Sequence, residues 1–284
     1  MAQVLTGIWE ARRNRATTLQ QRQPFAAQIL SFFRALLPVQ EEAFVEARAV
    51  ALAPERVVDF VAERVAPRVA AVSMESGPAE LRASVEQRVR EEGPHAMVAA
   101  WMNGDAQPAV DRYLARASLS PVLEALDGGV AGAFPGPRDE RHCPRCGGPP
   151  QLSYFDLSSD DLASGGRRLV CARCHAHWGF PRMTCPGCGE TSGSQLPIYS
   201  EVGTAAGERG GVVRGLGTAA PARDAVFPHI RIEGCDRCKS YVLNIDLAAE
   251  RQAVPLVDEM AALPLDLYAR DRGLTKITPN LMGF

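Results

Sequence analysis

The residues in this chain whose types and spacing could do chemistry are its eight cysteines. They form Cys-x-x-Cys pairs with no cysteine left over, namely Cys143/Cys146, Cys171/Cys174, Cys185/Cys188 and Cys235/Cys238. A gap of two residues lets one tight turn direct both sulfurs at a metal ion, and backbone N–H groups remain to bind the thiolates. Two such turns make a tetrahedral site. The sequence therefore predicts two metal ions, each bound by four cysteines.

Pairing of the turns in chain order is the simplest arrangement. It assigns Cys143, Cys146, Cys171 and Cys174 to the first site. It assigns Cys185, Cys188, Cys235 and Cys238 to the second. The first turn of each half carries Pro between its cysteines and Gly after them, which favours a duplicated unit, because Pro fixes φ and Gly permits a positive φ. Crossed pairing stays open, since sequence alone does not fix connectivity.

Other cysteine chemistries fit the spacing less well. A thioredoxin-like enzyme needs a single pair in a βαβ context, and a four-iron cluster usually shows Cys-x-x-Cys-x-x-Cys. A catalytic zinc keeps an open position, whereas four thiolates close the ligand shell. Closed structural sites are favoured, and the metal is zinc or a rubredoxin-type iron, because both accept the same geometry. We interpret the neighbouring His142, His175 and His177 as supporting or surface residues.

Composition limits the classes of partner and location. The 284 residues are 46% hydrophobic with a net charge of -2, so a basic face for nucleic acid is not expected. No apolar run approaches the roughly 18 residues of a membrane span, which predicts no membrane insertion. The pair Arg12–Arg13 is followed by polar residues, so no twin-arginine export signal is expected. We therefore expect a cytoplasmic protein with reduced thiols.

Hydrophobic periodicity predicts an α+β protein. Residues 1–137 read as an all-α helical domain. Segments 138–184 and 185–247 read as two rubredoxin-like, zinc-ribbon-like metal subdomains, the second with a mobile Gly-rich loop at 203–224. A C-terminal helical segment follows at 248–284. Strands are predicted beside the cysteines, at 151–155, 168–170, 230–232 and 241–245.

Prolines and glycines predict where the helices are interrupted. Pro67 should kink or split the valine-rich helix around it. Ser120–Pro121 is typical of an N-cap followed by Pro at the first helical position, with Gly128–Gly129 ending that helix. Pro255 and Pro264 indicate that the last helical stretch is two short helices.

The cysteine pairs and the residues between them resemble one known family, the formate dehydrogenase accessory proteins of FdhE type. The resemblance rests on Cys143-Pro-Arg-Cys-Gly-Gly-Pro-Pro, Arg168-Leu-Val-Cys171-Ala-Arg-Cys174, Trp178, Arg182, Cys185-Pro-Gly-Cys188, Glu233-Gly-Cys235-Asp-Arg-Cys238-Lys-Ser-Tyr241, Ala262-Leu-Pro-Leu-Asp-Leu-Tyr, Arg272–Gly273 and Pro279–Asn280. In the N-terminal half it rests mainly on order, composition and the segment Ile8-Trp-Glu-Ala-Arg-Arg. The spacer between Cys188 and Cys235 is longer than the family's, and residues 203–224 account for it as an insertion.

The resemblance implies a cytoplasmic maturation factor, or chaperone, without enzymatic activity. Such a protein binds the large catalytic subunit of respiratory formate dehydrogenase before twin-arginine export, and its metal sites are rubredoxin-like. A homodimer is left open. The alternative function is a nucleic-acid-binding zinc-ribbon protein, and a thiol enzyme is a weaker one.

Overall fold

The computed structural model describes residues 2–91, 93–126, 133–157, 165–202, 211–215 and 225–284. The chain divides into two compact units. One unit comprises Met1–Gly148, Cys171–Ala176 and Leu281–Gly283, and the other comprises Pro149–Val170, His177–Asn280 and Phe284. Helices precede a sheet and short closing helices, which confirms the predicted α+β class. The predicted boundaries of four segments are finer than this division and stay a prediction. Among the described residues no helix combines the length and the apolar character that crossing a bilayer requires.

The first unit is a bundle of helices built around two long central ones. The helices, in chain order, are α1 (Ala2–Arg22), α2 (Ala27–Ala49), α3 (Val57–Phe60), α4 (Ala66–Ser76), α5 (Ala79–Val89), α6 (Pro94–Asn103) and α7 (Ala109–Ala125). Helix α7 is buried along most of its length, with Leu119 and Leu123 almost fully inaccessible. Helix α2 presents Leu36 and Leu37 to the same core. These apolar stripes stabilise the bundle by removing hydrocarbon from water.

The valine-rich helical stretch continues past Pro67 without breaking. A π-helical turn, Val61–Val65, connects α3 to α4. Pro67 then falls in the first turn of α4, directly after this π-helical turn. The predicted interruption is therefore a local widening of one continuous helical stretch.

The prediction of a new helix at Ser120–Pro121 is wrong. Helix α7 runs through Pro121 to Ala125 without interruption, and Gly128–Gly129 lies outside the described residues. Because Pro121 has no N–H, the carbonyl of Ala117 loses its helical donor. The Nε2 of Gln40 on α2 donates to that carbonyl at 2.9 Å, in a buried position. A tertiary hydrogen bond thus allows proline inside this helix.

We expect the substitution Gln40→Ala to lower the free energy of unfolding by about 1–3 kcal/mol, because it leaves the Ala117 carbonyl buried and unpaired. Gln87→Ala, at an exposed position of α5, is the matched control and should change stability by less than about 0.5 kcal/mol. Urea titrations followed by helical circular dichroism measure both values. Equal effects of the two substitutions would contradict this role of Gln40.

The second unit is organised around one mixed sheet. Its described strands are β1 (Pro150–Phe155), β2 (Arg167–Cys171), β3 (His177–Gly179), β4 (Ile198–Val202), β5 (Gly211–Gly215), β6 (Ile230–Cys235), β7 (Ser240–Asp246) and β8 (Thr275–Lys276). Their order is β3-β2-β1-β7-β6-β4-β5, and β8 pairs with β7. Strand β7 is parallel to β1 and β8 and antiparallel to β6. All four predicted strands are confirmed.

The predicted loop 203–224 needs one correction. Within it, β5 pairs antiparallel with β4 from Val202↔Gly211 to Ile198↔Gly215. Backbone pairing to a neighbouring strand forms this strand, which the Gly-rich composition concealed. The rest of the predicted loop, residues 203–210 and 216–224, lies outside the described residues.

The C-terminal segment forms two short helices, as predicted. They are α8 (Pro255–Ala261) and α9 (Leu263–Asp271), each with a proline in its first turn, and Gly273 follows at φ +73°. Buried Lys276 lies 2.7 Å from Glu259 of α8 and 3.0 Å from Asp266 of α9. The Tyr241 hydroxyl of β7 also donates to Asp266 at 2.8 Å. This buried polar network fixes both helices to the sheet.

Candidate metal centres

The first four cysteines converge on one point in the helical unit. The cluster of Cys143, Cys146, Cys171 and Cys174, here cluster one, has all its sulfurs within 4.8 Å of one another. The Sγ atoms of Cys143 and Cys174 are 3.6 Å apart, and those of Cys146 and Cys171 are 3.4 Å apart. All four residues are buried, and all four belong to the helical unit.

The other four cysteines converge in the sheet unit. The cluster of Cys185, Cys188, Cys235 and Cys238, here cluster two, also has its sulfurs within 4.8 Å of one another. The Sγ atoms are 3.7 Å apart in the pairs Cys185–Cys238 and Cys188–Cys235. Among the described residues these two clusters are the groups with metal-ligand geometry. The structure thus brings the turns together in chain order.

The donor set and spacing suit a tetrahedral tetrathiolate. Four sulfurs at about 2.3 Å from one ion are about 3.8 Å apart, close to the separations in both clusters. The clusters can therefore each hold a metal ion without rearrangement of the backbone. Zinc and a single iron fit the four sulfurs equally, so the geometry leaves the identity of the metal open.

The first turn of each cluster has the same pattern of backbone hydrogen bonds. In cluster one the Cys143 N–H donates to the Gly148 carbonyl, and the Gly147 N–H donates to the Cys143 carbonyl, both at 2.9 Å. The first turn of cluster two has the equivalent bonds. The Cys185 N–H donates to the Glu190 carbonyl at 2.8 Å, and the Gly189 N–H donates to the Cys185 carbonyl at 2.9 Å.

Backbone amides also reach the sulfurs directly. The N–H groups of Gly187 and Arg173 donate to the Sγ atoms of Cys185 and Cys171, each at 3.3 Å. Such bonds stabilise negative charge on sulfur, as a metal-binding thiolate requires.

All four turns place the residue after their second cysteine in the left-handed region. Gly147 and Gly189 adopt φ of +69° and +79°, as the sequence predicts. His175 and Lys239 adopt φ of +53° and +55° at the same position of the other two turns. A side chain in this region costs about 1 kcal/mol or more, so the cysteine geometry outweighs local preference there. Sequence reasoning missed these two residues, although the shared position after Cys-x-x-Cys is a usable signal.

Burial and local donors set the state of the thiols. Burial raises the pKa of the Cys171 and Cys185 thiols well above the ordinary value. Burial also acts to raise the pKa of Cys238, but hydrogen bonds with Ser240, Cys188 and Cys235 together outweigh it and lower that pKa to about 7. The Ser240 hydroxyl lies 2.8 Å from the Cys238 sulfur. The Ser240 hydroxyl thus favours the thiolate state of Cys238.

An ion pair inside the helical unit connects cluster one to α1 and α7. Arg12 donates two hydrogen bonds to Glu124, at 2.7 and 3.0 Å. The Nδ1 of His175, next to Cys174, lies 3.1 Å from the same carboxylate. Burial acts to raise the pKa of Glu124, but Arg12 and His175 hold it well below its usual range. Burial lowers the pKa of His175, so its neutral ring donates from Nδ1 to the carboxylate.

The histidines near the cysteines contact protein groups outside the two clusters. His175 binds Glu124, and the Nδ1 of His142 lies 2.6 Å from Asp139. The Nδ1 of His177 lies 2.8 Å from the Tyr154 hydroxyl. The supporting role expected for these residues agrees with such contacts.

We expect Glu124→Gln to lower the free energy of unfolding at pH 7 by about 3–5 kcal/mol, because it leaves Arg12 buried without its counter-ion. The lowered pKa of Glu124 means that its stabilisation is present above about pH 4.3 and is lost as the pH falls further. The deficit of the variant should therefore shrink in acid. The control is Glu10→Gln at an exposed position of α1, with a change below about 0.5 kcal/mol. A pH-independent deficit in urea titrations would contradict this role of the carboxylate.

Metal content tests the predicted ligands and their pairing. Two variants carry equal numbers of Cys→Ser substitutions. One changes Cys143, Cys146, Cys171 and Cys174, and the other changes Cys143, Cys146, Cys185 and Cys188. Elemental analysis after anaerobic purification should find one ion per chain in the first variant, because cluster two is intact, and no ion in the second, because both clusters are halved. Equal metal content in the two variants would contradict chain-order pairing.

Comparison with known proteins supports the resemblance seen in the sequence. Residues 217–282 match the family model described as FdhE, C-terminal domain. The protein FdhE homolog of Aquifex aeolicus is 28% identical over 145 residues, which is 51% of this chain and 42% of the relative. The homolog of Pseudomonas aeruginosa is 28% identical over 140 residues, 49% of this chain and 38% of the relative. The chain thus spans about two fifths of the length of these curated relatives.

The fold is shared along nearly the whole chain. The crystal structure of the FdhE protein from Pseudomonas aeruginosa superposes with a TM-score of 0.61 and 21% sequence identity, and the match covers 97% of this chain and 95% of that one. At this identity the likeness establishes the fold, while the family model and the curated relatives carry the sequence match. Together they confirm the resemblance of this chain to FdhE-type proteins.

Proposed function

We propose that this chain is a non-enzymatic accessory factor for the maturation of respiratory formate dehydrogenase. In this proposal it acts in the cytoplasm and binds the large catalytic subunit before twin-arginine export. The observation that carries the proposal is the pair of four-cysteine clusters in an FdhE-type fold. The curated relatives bear the name FdhE homolog, and the resemblance of the interleaved residues supports the same role.

The closed ligand sets favour a recognition role over catalysis. Four thiolates fill a tetrahedral shell and leave no position for substrate or activated water. In cluster one the buried sulfurs connect turns from separate parts of the chain, since Cys146 and Cys171 are 25 residues apart. A metal ion that joins such segments fixes the surface around them. We infer that the clusters shape the docking surface for the catalytic subunit.

A nucleic-acid-binding ribbon receives less support from the charges. Basic side chains around the sheet are engaged by carboxylates of this same chain. Arg167 and Arg231 donate to Glu233 at 2.6 and 3.1 Å, and Arg237 pairs with Glu190 at 3.1 Å. Binding to phosphates would require these ion pairs to break, and the net charge of -2 supplies no long-range attraction.

Two metals suit the proposal, and they differ in chemistry. Zinc would only hold the surface, whereas a rubredoxin-type iron could also accept or donate one electron during maturation. Visible spectroscopy of anaerobically purified protein separates the two versions, because a tetrathiolate iron absorbs visible light and zinc does not. A colourless protein that contains zinc alone would remove the redox version.

Capture of the catalytic subunit tests the proposed function. We expect the tagged full chain to retain a co-expressed formate dehydrogenase catalytic subunit, and Cys185→Ser/Cys188→Ser to lose most of that retention, because cluster two no longer holds its turns together. The matched control is Ser192→Ala/Ser194→Ala, which changes two exposed side chains beside the same turn and should retain the subunit. Failure of the unaltered chain to retain the subunit would overturn the proposal.

A further inference from the structure

The two clusters differ in their access to solvent. In cluster one the exposed fraction of every cysteine is at most 1%. In cluster two Cys185 and Cys235 are buried, Cys188 is partly exposed and Cys238 is exposed. The ligand chemistry is the same in both, so the difference arises from the chain around each set of sulfurs.

Cluster one is closed by tightly packed chain. A Cβ atom added at Gly148 would lie 2.8 Å from the Cys171 sulfur and 3.1 Å from the Arg173 side chain, so backbone, sulfur and arginine leave no space between them. Arg173 is itself buried, and its guanidinium donates to the Pro135 carbonyl at 3.3 Å. An incoming ligand would have to displace this packing before it reached a sulfur.

Cluster two is open along one edge. Cys238 lies in the turn between β6 and β7, and its sulfur contacts the Ser240 hydroxyl at 2.8 Å. On the other side, Cys185 lines a cavity of about 30 Å³ together with Ser240 and Tyr241, which is room for about one water molecule. Solvent therefore approaches this cluster without unfolding of the surrounding chain.

We propose that cluster two exchanges its metal ion with thiol ligands from solution, while cluster one retains its ion as a permanent part of the helical unit. The exchange begins at Cys238. An incoming thiolate forms a bond to the ion as the bond to the Cys238 sulfur breaks, and Cys238 leaves as a thiolate, so charge is conserved. No electron is transferred, so the step needs no oxidant or reductant. The acceptor is a small thiol, whose thiolate is a soft ligand of the kind that a thiophilic metal ion prefers.

This proposal is independent of the proposed function, because it concerns rates of ligand exchange in the isolated chain. The probe is the full-length protein loaded with zinc and mixed with excess 4-(2-pyridylazo)resorcinol, a coloured chelator. We expect two phases of zinc release, with the fast phase about tenfold or more faster, because access without unfolding is quicker than access by local opening. Cys185→Ser/Cys188→Ser/Cys235→Ser/Cys238→Ser should show only the slow phase, and Ser192→Ala/Ser194→Ala should show both.

Alkylation of the unaltered zinc-loaded protein identifies the thiols without relying on a variant that could fail to fold. Iodoacetamide labelling followed by peptide mass spectrometry should find Cys238 modified first and the four cysteines of cluster one last. Release in a single phase, or modification of cluster one at the same rate as Cys238, would overturn the proposal.

Discussion

The convergence of four cysteine sulfurs on one point is the constraint on which the rest of this structure depends. Each cluster needs two turns at a fixed separation, and each turn must aim two sulfurs and an amide at the same position. A turn of this kind reverses the chain sharply, so its next residue enters the left-handed region. Glycine does this freely in two turns, whereas His175 and Lys239 do it against their own preference.

The same constraint has different consequences in the two units. Cluster one belongs to the compact unit of the helices, and the ion pair from Arg12 to Glu124 and on to His175 connects its second turn to α1 and α7. A metal ion bound there would join segments that loop closure alone would join at an entropic cost. Cluster two lies where β6 and β7 meet, and the strand pairing already holds one of its two turns in place. The helical unit should therefore depend on its metal more than the sheet unit does.

Local patterns in the sequence were sufficient for the grouping of the cysteines, the strands and the short C-terminal helices. Their signals are spacing, alternation and proline position, all of which act within a few residues. The errors arose where a distant residue supplied what the local pattern lacked. Gln40 supplies the donor that Pro121 removes from α7, and β4 supplies the partner that makes β5 a strand. Buried Lys276 likewise depends on Glu259 and Asp266, and such pairings across the fold leave no periodic signal.

X-ray absorption spectroscopy of the full chain, purified without oxygen, tests the central claim most directly, because it counts the ligands and measures their distances. The account predicts a single shell of four sulfur atoms at about 2.3 Å from the metal, whichever of iron or zinc is present. Nitrogen or oxygen ligands in that shell would contradict the two four-cysteine centres. So would sulfurs bonded to each other at about 2.05 Å instead of to metal.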